Sequence, residues 1–184
     1  MGKTTVARMF ADEGVPVFDS DATVHELYRG TAVKAVEACF PNTSVDGQID
    51  RNLLASRVLQ DPFALRQLEG IVHPLVEDAR REFIARERSA LRSIIVLDIP
   101  LLFESGADDI VDLVVVVSAP MDIQRGRAMA RDNMTPLRFE EIIKRQVSNI
   151  DKRLRAQYIV DTSTIPDVTR QQVRDVVRSL SAIY

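Results

Sequence analysis

The 184 residues carry 24 Lys and Arg against 27 Asp and Glu, a formal net charge of −3, which argues against a general nucleic-acid-binding surface but leaves local basic patches open. With 46% hydrophobic and 28% charged residues, the composition is that of one globular domain able to bury a core, and no run reaches the ~18 apolar residues of a membrane span. The single Cys39 excludes an internal disulfide framework and a cysteine-rich zinc site, and fits a reducing, cytoplasmic setting. Nothing in the pattern fixes an oligomeric state.

The chain opens Met1-Gly2-Lys3-Thr4-Thr5-Val6-Ala7. Gly2, Lys3 and Thr4 match the last three positions of the phosphate-binding loop G-x-x-x-x-G-K-[ST]. In that loop backbone N–H groups cradle phosphates, the lysine reaches the β/γ-phosphates and the hydroxyl binds Mg²⁺. So short a motif is weak by itself, and the alternative is a surface helix with a solvated lysine. Its context strengthens it. Val6, Met9 and Phe10 continue as an amphipathic helix that Glu13-Gly14 stops, and Val15-Pro16-Val17-Phe18-Asp19 reads as a short buried strand ending in a carboxylate. The loop's first glycine and the strand that should deliver the chain into it do not precede Gly2. The gene product is therefore expected to continue upstream by about ten residues, one strand plus the front of the loop.

Three more apolar runs, at 94–98, 113–117 and, more weakly, 158–161, are continuous rather than alternating and are separated by helical stretches. That predicts a parallel sheet covered on both faces, with Asp19 and Asp98 at the carboxyl edge where phosphate ligands bind. From Asp21 to Arg92 the pattern is almost purely helical, punctuated by a turn at 41–47 and by Asp61-Pro62 and His73-Pro74. This is far longer than a crossover needs and predicts a helical insertion that meets a substrate. A second helical block, rich in Arg and Lys, follows Pro120 and runs to about Arg155.

Phosphoryl transfer is mostly positioning and charge neutralisation, so its site needs a phosphate cradle, cations and an acidic partner. Lys3 and Thr4 come first. Asp19, at a strand end, is suited to orient an attacking hydroxyl or accept its proton. Asp21 and His25 share a helical face and are read as structural, Asp21 as a helix N-cap. His73-Pro74 is either the start of a helix or a contact to an anionic or sugar group. Asp98 sits where an acid would lie near Mg²⁺ or the acceptor. The apolar Ile99-Pro100-Leu101-Leu102-Phe103 leading to Glu104 is either packed core or a pocket wall for the substrate's base. Arg127 and Arg131 share a helix face, where paired like charges cost roughly a few tenths of a kcal/mol without an anion. A phosphate would relieve that repulsion; the alternative is a solvated basic face balanced by Asp132 and Glu140.

Taken in order, these clusters resemble dephospho-coenzyme A kinase from Gly2 to roughly Val177. The most specific stretches are 14–21 with His25, 68–76, and 98–104 with Gly106. Gln124, Arg127 and Arg131 match the family's Q-x-x-R-x-x-x-R lid helix, and Gln146, Lys152 and Arg153 the segment after it. The resemblance implies an α/β fold, a P-loop NTPase-type parallel sheet flanked by helices. It places the nucleotide-binding core at 1–24, 93–118 and 156–184, a helical dephospho-CoA-binding insertion at 25–92, and a helical lid at 119–155. It further implies transfer of the γ-phosphate of ATP to the ribose 3′-hydroxyl of dephospho-CoA, the last step of coenzyme A synthesis, with Mg²⁺ as cofactor. Carried over by position, Gly2, Lys3, Thr4 and Thr5 hold the ATP phosphates, and Thr4 binds Mg²⁺. Asp19 serves as the base, and Lys3 and Arg127 assist catalysis, Arg127 by closing over the phosphates. His73, Asp98, Pro100, Leu101, Leu102, Phe103, Glu104 and Arg131 fall to the acceptor. The sequence departs from the family pattern in its missing first strand, at Ile142 where an arginine is frequent, at Gln157 where an aspartate is usual, and at Asp161-Thr162 in place of Asp/Asn-Asn. Two rival readings stand beside it: another small-molecule kinase of the same fold, and a nucleotide-binding remnant without catalysis.

Overall fold

The computed structural model describes residues 2–131 and 134–183. In chain order its elements are α1 (Lys3–Asp12), β1 (Val17–Asp19), α2 (Ser20–Leu27), α3 (Val33–Cys39), β2 (Ser44–Val45), β3 (Gln48–Ile49), α4 (Arg51–Val58), α5 (Pro62–Ser89), β4 (Val96–Asp98), β5 (Val115–Ser118), α6 (Met121–Met129), α7 (Pro136–Lys144), α8 (Asn149–Leu154), β6 (Tyr158–Asp161) and α9 (Pro166–Ser181). All four expected strands form. β1 pairs with β4 and β5 with β6. β1 starts only after Pro16, whose missing N–H cannot donate to a ladder. The chain divides into two compact units, Met1–Val17 with Asp98–Tyr184, and Phe18–Leu97.

In the first unit β5 and β6 run parallel, with Val115 opposite Tyr158 and Ser118 opposite Asp161. Gln157 lengthens this ladder: its backbone N–H donates to the Val114 carbonyl at 3.0 Å and its side-chain Oε1 accepts from the Val114 N–H at 2.8 Å. α9 opens with Pro166 and buries Thr169, Val173, Val176 and Leu180, one stripe at helical spacing. α1 buries Val6, Met9 and Phe10 and stops before Gly14, whose φ of +80° is a left-handed conformation that a side chain would strain. Ion pairs join the two helices, Arg170 to Asp12 and Arg174 to Glu13, both at 2.8 Å.

The second unit is built on α5, whose 28 residues span about 42 Å at the α-helical rise. Its core gathers Ala32, Val36 and Phe40 with Ile49, Leu54 and Val58 and the α5 stripe Ala64, Leu68 and Val72. Asp50 and Asp61 cap α4 and α5, each accepting from two backbone N–H groups. Phe83 of α5 meets Phe18 of β1 with ring centroids 5.5 Å apart.

Two expectations for this stretch fail. The turn expected at 41–47 within the almost purely helical stretch 21–92 is not a bare turn: β2 and β3 form a hairpin around Asp46 and Gly47, whose φ values of 50° and 75° are both left-handed. An Asp-Gly pair favours that mirror-image turn, because it matches the twist of the flanking strands. Nor does His73-Pro74 start a helix. Pro74 lies inside α5, where its ring removes the N–H that would bond the Gly70 carbonyl, and burial of the stripe on both sides carries the helix through. Leu54 is only 3% exposed, so Leu54→Ala is expected to cost ~2–5 kcal/mol. This is read as a lower denaturation midpoint at unchanged slope; an unmoved midpoint would show that Leu54 is not part of the core.

Candidate active site

α1 begins at Gly2, with φ 95° and no side-chain cap. The first N–H groups of the helix have no intrahelical acceptor and sit at the positive end of its dipole, which makes them an anion site. Gly2 is favoured by its backbone, since a side chain would strain the left-handed conformation; a Cβ there would lie in ordinary contact with the Thr162 side chain at 3.7 Å. Thr4 and Thr5 are exposed on the first turn. Lys3 Nζ donates to Asp98 Oδ1 at 2.5 Å. Asp98 is 5% exposed, and its Oδ2 is buried without a hydrogen-bond partner among the described residues.

A hydrogen-bonded chain crosses the carboxyl ends of β5 and β6. The Thr162 N–H donates to the Ser118 carbonyl at 2.9 Å, and the Ser118 hydroxyl lies within 3.2 Å of Arg153 Nη1 and within 3.1 Å of Asn149 Nδ2. Arg127 closes the chain, donating from Nη1 to Thr162 Oγ1 at 3.0 Å and from Nη2 to the Thr162 carbonyl at 2.6 Å. Thr162 touches both Arg127 and the space beside Gly2, so the structure brings Arg127 to the start of α1. Buried Gln124 holds the base of the same helix, donating to the Ala119 carbonyl at 2.7 Å.

Glu104 leaves the acceptor wall expected of it. It accepts from the Val147 N–H at 2.8 Å and pairs with Lys152 at 3.0 Å, while Lys152 also donates to Gln146 at 3.2 Å. Gln124, Gln146 and Lys152 line a cavity of about 180 Å³, smaller than the ~300–1,000 Å³ pockets that hold drug-sized ligands. Pro100 to Phe103 form neither packed core nor an enclosed wall. They run through turns, Leu101 is 47% exposed, and the Arg155 guanidinium covers the Phe103 ring at 4.2 Å.

Asp19, rather than Asp21, is the N-cap of α2, its Oδ1 accepting from the Ala22 N–H at 2.9 Å. The cap falls there because β1 ends at Asp19 and the helix begins at the next residue. His73 is exposed midway along α5. α6 ends at Met129, with Ala130 as its C-cap, so Arg131 stands past the helix and does not share a helical face with Arg127. Asp132 lies outside the described residues. Sequence reasoning passed over Ser118 and Asn149, whose one signal was a serine closing an apolar run. It also passed over Arg51, which meets His25 at 2.6 Å.

A helix N-terminus, a lysine and an arginine gathered with a strand-end aspartate on an α/β core define a phosphotransferase of the P-loop class. A family model described as Dephospho-CoA kinase matches residues 1–167. A dephospho-CoA kinase of Rhodopseudomonas palustris is 46% identical over 179 residues, covering 97% of this chain and 90% of that protein. A crystal structure from Thermus thermophilus superposes with a TM-score of 0.76 at 32% identity, covering 97% of this chain and 91% of the other. Dephospho-CoA kinase from Campylobacter jejuni shares the fold, with a TM-score of 0.75 at 23% identity over 98% of this chain and 92% of its own. The chain belongs to the dephospho-CoA kinase family.

Burial pushes the Glu104 carboxyl up, but the hydrogen bonds from Lys152 and the Val147 N–H outweigh it and hold the group below its ordinary value. A carboxyl with a depressed folded pKa stabilises fully above the unfolded value, near ~4.3. That contribution is lost as pH falls through the folded value. Glu104→Ala is expected to cost ~3–5 kcal/mol at neutral pH by leaving Lys152 buried without its counter-charge, and to flatten the acid limb of the stability curve. Denaturation midpoints across pH 3–7 check both; an acid limb unchanged from the parent protein would refute the assignment.

Proposed function

We propose that this chain transfers the γ-phosphate of ATP to the ribose 3′-hydroxyl of dephospho-CoA. The observation that carries the reading is the Lys3–Asp98 pair at the N-terminus of α1 with Arg127 anchored beside it on Thr162, in a chain of this family. In the proposed arrangement the residues 25–92 serve the acceptor and the residues 119–155 act as the lid. Among the described residues no helix is long and apolar enough to cross a membrane, and exposed, unpaired Cys39 fits a cytoplasmic setting.

The N–H groups of Lys3, Thr4 and Thr5 receive the phosphates, and Lys3 exchanges its ion pair with Asp98 for the β/γ-phosphates. The unpaired buried Oδ2 of Asp98 and the Thr4 hydroxyl are hard oxygen donors of the kind Mg²⁺ takes. When bound, Mg²⁺ neutralises phosphate charge. One carboxylate oxygen of Asp19 is fixed by the helix cap, which sets the orientation of the other toward a hydroxyl. As the 3′-oxygen bonds to the γ-phosphorus, its proton passes to Asp19 and the bond to the β-phosphate oxygen breaks, releasing ADP. Arg127 offsets the charge that develops on the transferred group.

Incubation with ATP, Mg²⁺ and dephospho-CoA should yield coenzyme A with the new phosphate on the 3′-oxygen. Phosphorylation of nucleotides, nucleosides or sugar acids with none of dephospho-CoA would overturn the reading. Asp19→Asn keeps a good N-cap, so the fold should survive while kcat falls by ~10²–10⁴; a normal rate would remove Asp19 from the reaction. Arg127→Ala is expected to lower kcat by ~10²–10³ with little change in KM for dephospho-CoA, the mark of an interaction made in the transition state.

A further inference from the structure

We infer that His25, Tyr28 and Arg51 form an anion subsite that receives the diphosphate of the acceptor. This rests on the reading of dephospho-CoA as acceptor and of Asp19 as the partner of its 3′-hydroxyl.

Arg51 Nη1 lies 2.6 Å from His25 Nε2. A guanidinium has only donors and keeps its charge, so Nε2 is the acceptor and the ring proton sits on Nδ1. The pair therefore holds a positive charge against a neutral imidazole. Among the described residues no carboxylate stands within ion-pair distance of Arg51. The acids nearest in sequence are engaged elsewhere: Asp50 Oδ1 accepts from the Asn52 and Leu53 N–H groups, and Glu26 pairs with Arg29 at 3.1 Å. Arg51 is also the first residue of α4, at the positive end of the helix dipole, where a cation is disfavoured by ~0.3–1 kcal/mol. Local stability does not account for an arginine at this position. A ligand anion does.

The cluster is pre-set by backbone contacts. The Ile49 N–H donates to the Tyr28 carbonyl at 2.8 Å, pinning the strand that leads into α4 against the end of α2. Tyr28 is half-buried three residues beyond His25, and the Arg51 charge acts on its phenol, opposing the upward push of burial. The exposed guanidinium, held by His25 and close enough for its charge to act on the Tyr28 phenol, presents the forked donors that phosphate oxygens accept.

Spacing selects the diphosphate. Asp19 caps α2 and His25 lies on it, so about 9 Å of helix axis and about a third of a turn around it separate them, at 1.5 Å and about 100° per residue. That is comparable with the reach from a nucleotide's 3′-hydroxyl across the ribose to the phosphates on its 5′ side. An acceptor whose hydroxyl meets Asp19 can wrap its diphosphate part-way around the same helix toward Arg51.

The test uses the full chain with Arg51→Gln and Arg51→Lys, assayed with ATP, Mg²⁺ and dephospho-CoA. Arg51→Gln should raise KM for dephospho-CoA by ~10-fold or more, the loss of one charge-assisted contact. Arg51→Lys should raise it less, and both should leave kcat and KM for ATP within ~2-fold. Inorganic pyrophosphate should compete with dephospho-CoA in the parent protein and lose that competition in Arg51→Gln. An unmoved KM for dephospho-CoA in an active enzyme overturns the subsite alone. So does a rise matched by KM for ATP with lower thermal midpoints in both variants, which would make Arg51 a cross-link between α2 and α4. Absence of transfer to dephospho-CoA by the parent protein overturns the acceptor reading, and the subsite with it.

Discussion

A carboxylate taken out of water needs an opposite charge or hydrogen bonds to offset its lost hydration, and Asp98 is buried under that constraint at the end of β4. Lys3 meets it with one ion pair, which fixes the first residue of α1 against a strand end some 95 residues away in the chain. One oxygen of Asp98 is left over. The pair thus holds the helix start and leaves one carboxylate oxygen without a partner among the described residues. In the proposed reaction the same two side chains meet the phosphates, so structural need and the proposed chemistry fall on one contact.

The carboxyl edge of β5 and β6 solves a related problem with neutral groups. Ser118 and Thr162 are buried and bond to each other, and further bonds pass the ordering outward, to Asn149 and Arg153 on α8 and to Arg127 on α6. An exposed arginine would ordinarily sample many rotamers, at a cost of ~2 kcal/mol in entropy to fix. Two hydrogen bonds to Thr162 restrict Arg127 before any ligand arrives. Glu104 and Lys152 do the same for the segment ahead of α8, where one buried pair tethers Val147 and Gln146.

In the residues 18–97 three aspartates set where helices begin. Asp19, Asp50 and Asp61 each cap a helix with their carboxylates, and the apolar stripe of α5 then collects the shorter helices around it. At Asp19 a cap and the proposed role as base are compatible, since the cap occupies one oxygen and leaves the other. Arg51, one residue after the Asp50 cap, is the counterpart that capping does not explain.

The sequence by itself determined the α/β class, the four strands and the helix that starts at Lys3, and it singled out Lys3, Thr4, Asp19, Asp98 and Arg127 as candidates, because these rest on local pattern: continuous apolar runs, a Gly-Lys-Thr before a helix, acids at strand ends. It misplaced what depends on competition between local preferences. Asp19 took the cap expected of Asp21, Pro74 was absorbed into α5 and Arg131 fell beyond the end of α6. The Asp46-Gly47 hairpin was legible in principle and was lost against strong helical periodicity on both sides. Only the tertiary structure decided that Glu104 serves Lys152, that Thr162 links Gly2 to Arg127 and that Arg51 faces His25. Those pairings join residues 26 to 48 positions apart, or meet at a chain end, and no local period encodes them. They form because burial of the surrounding apolar faces brings distant polar groups together, where each must find a partner.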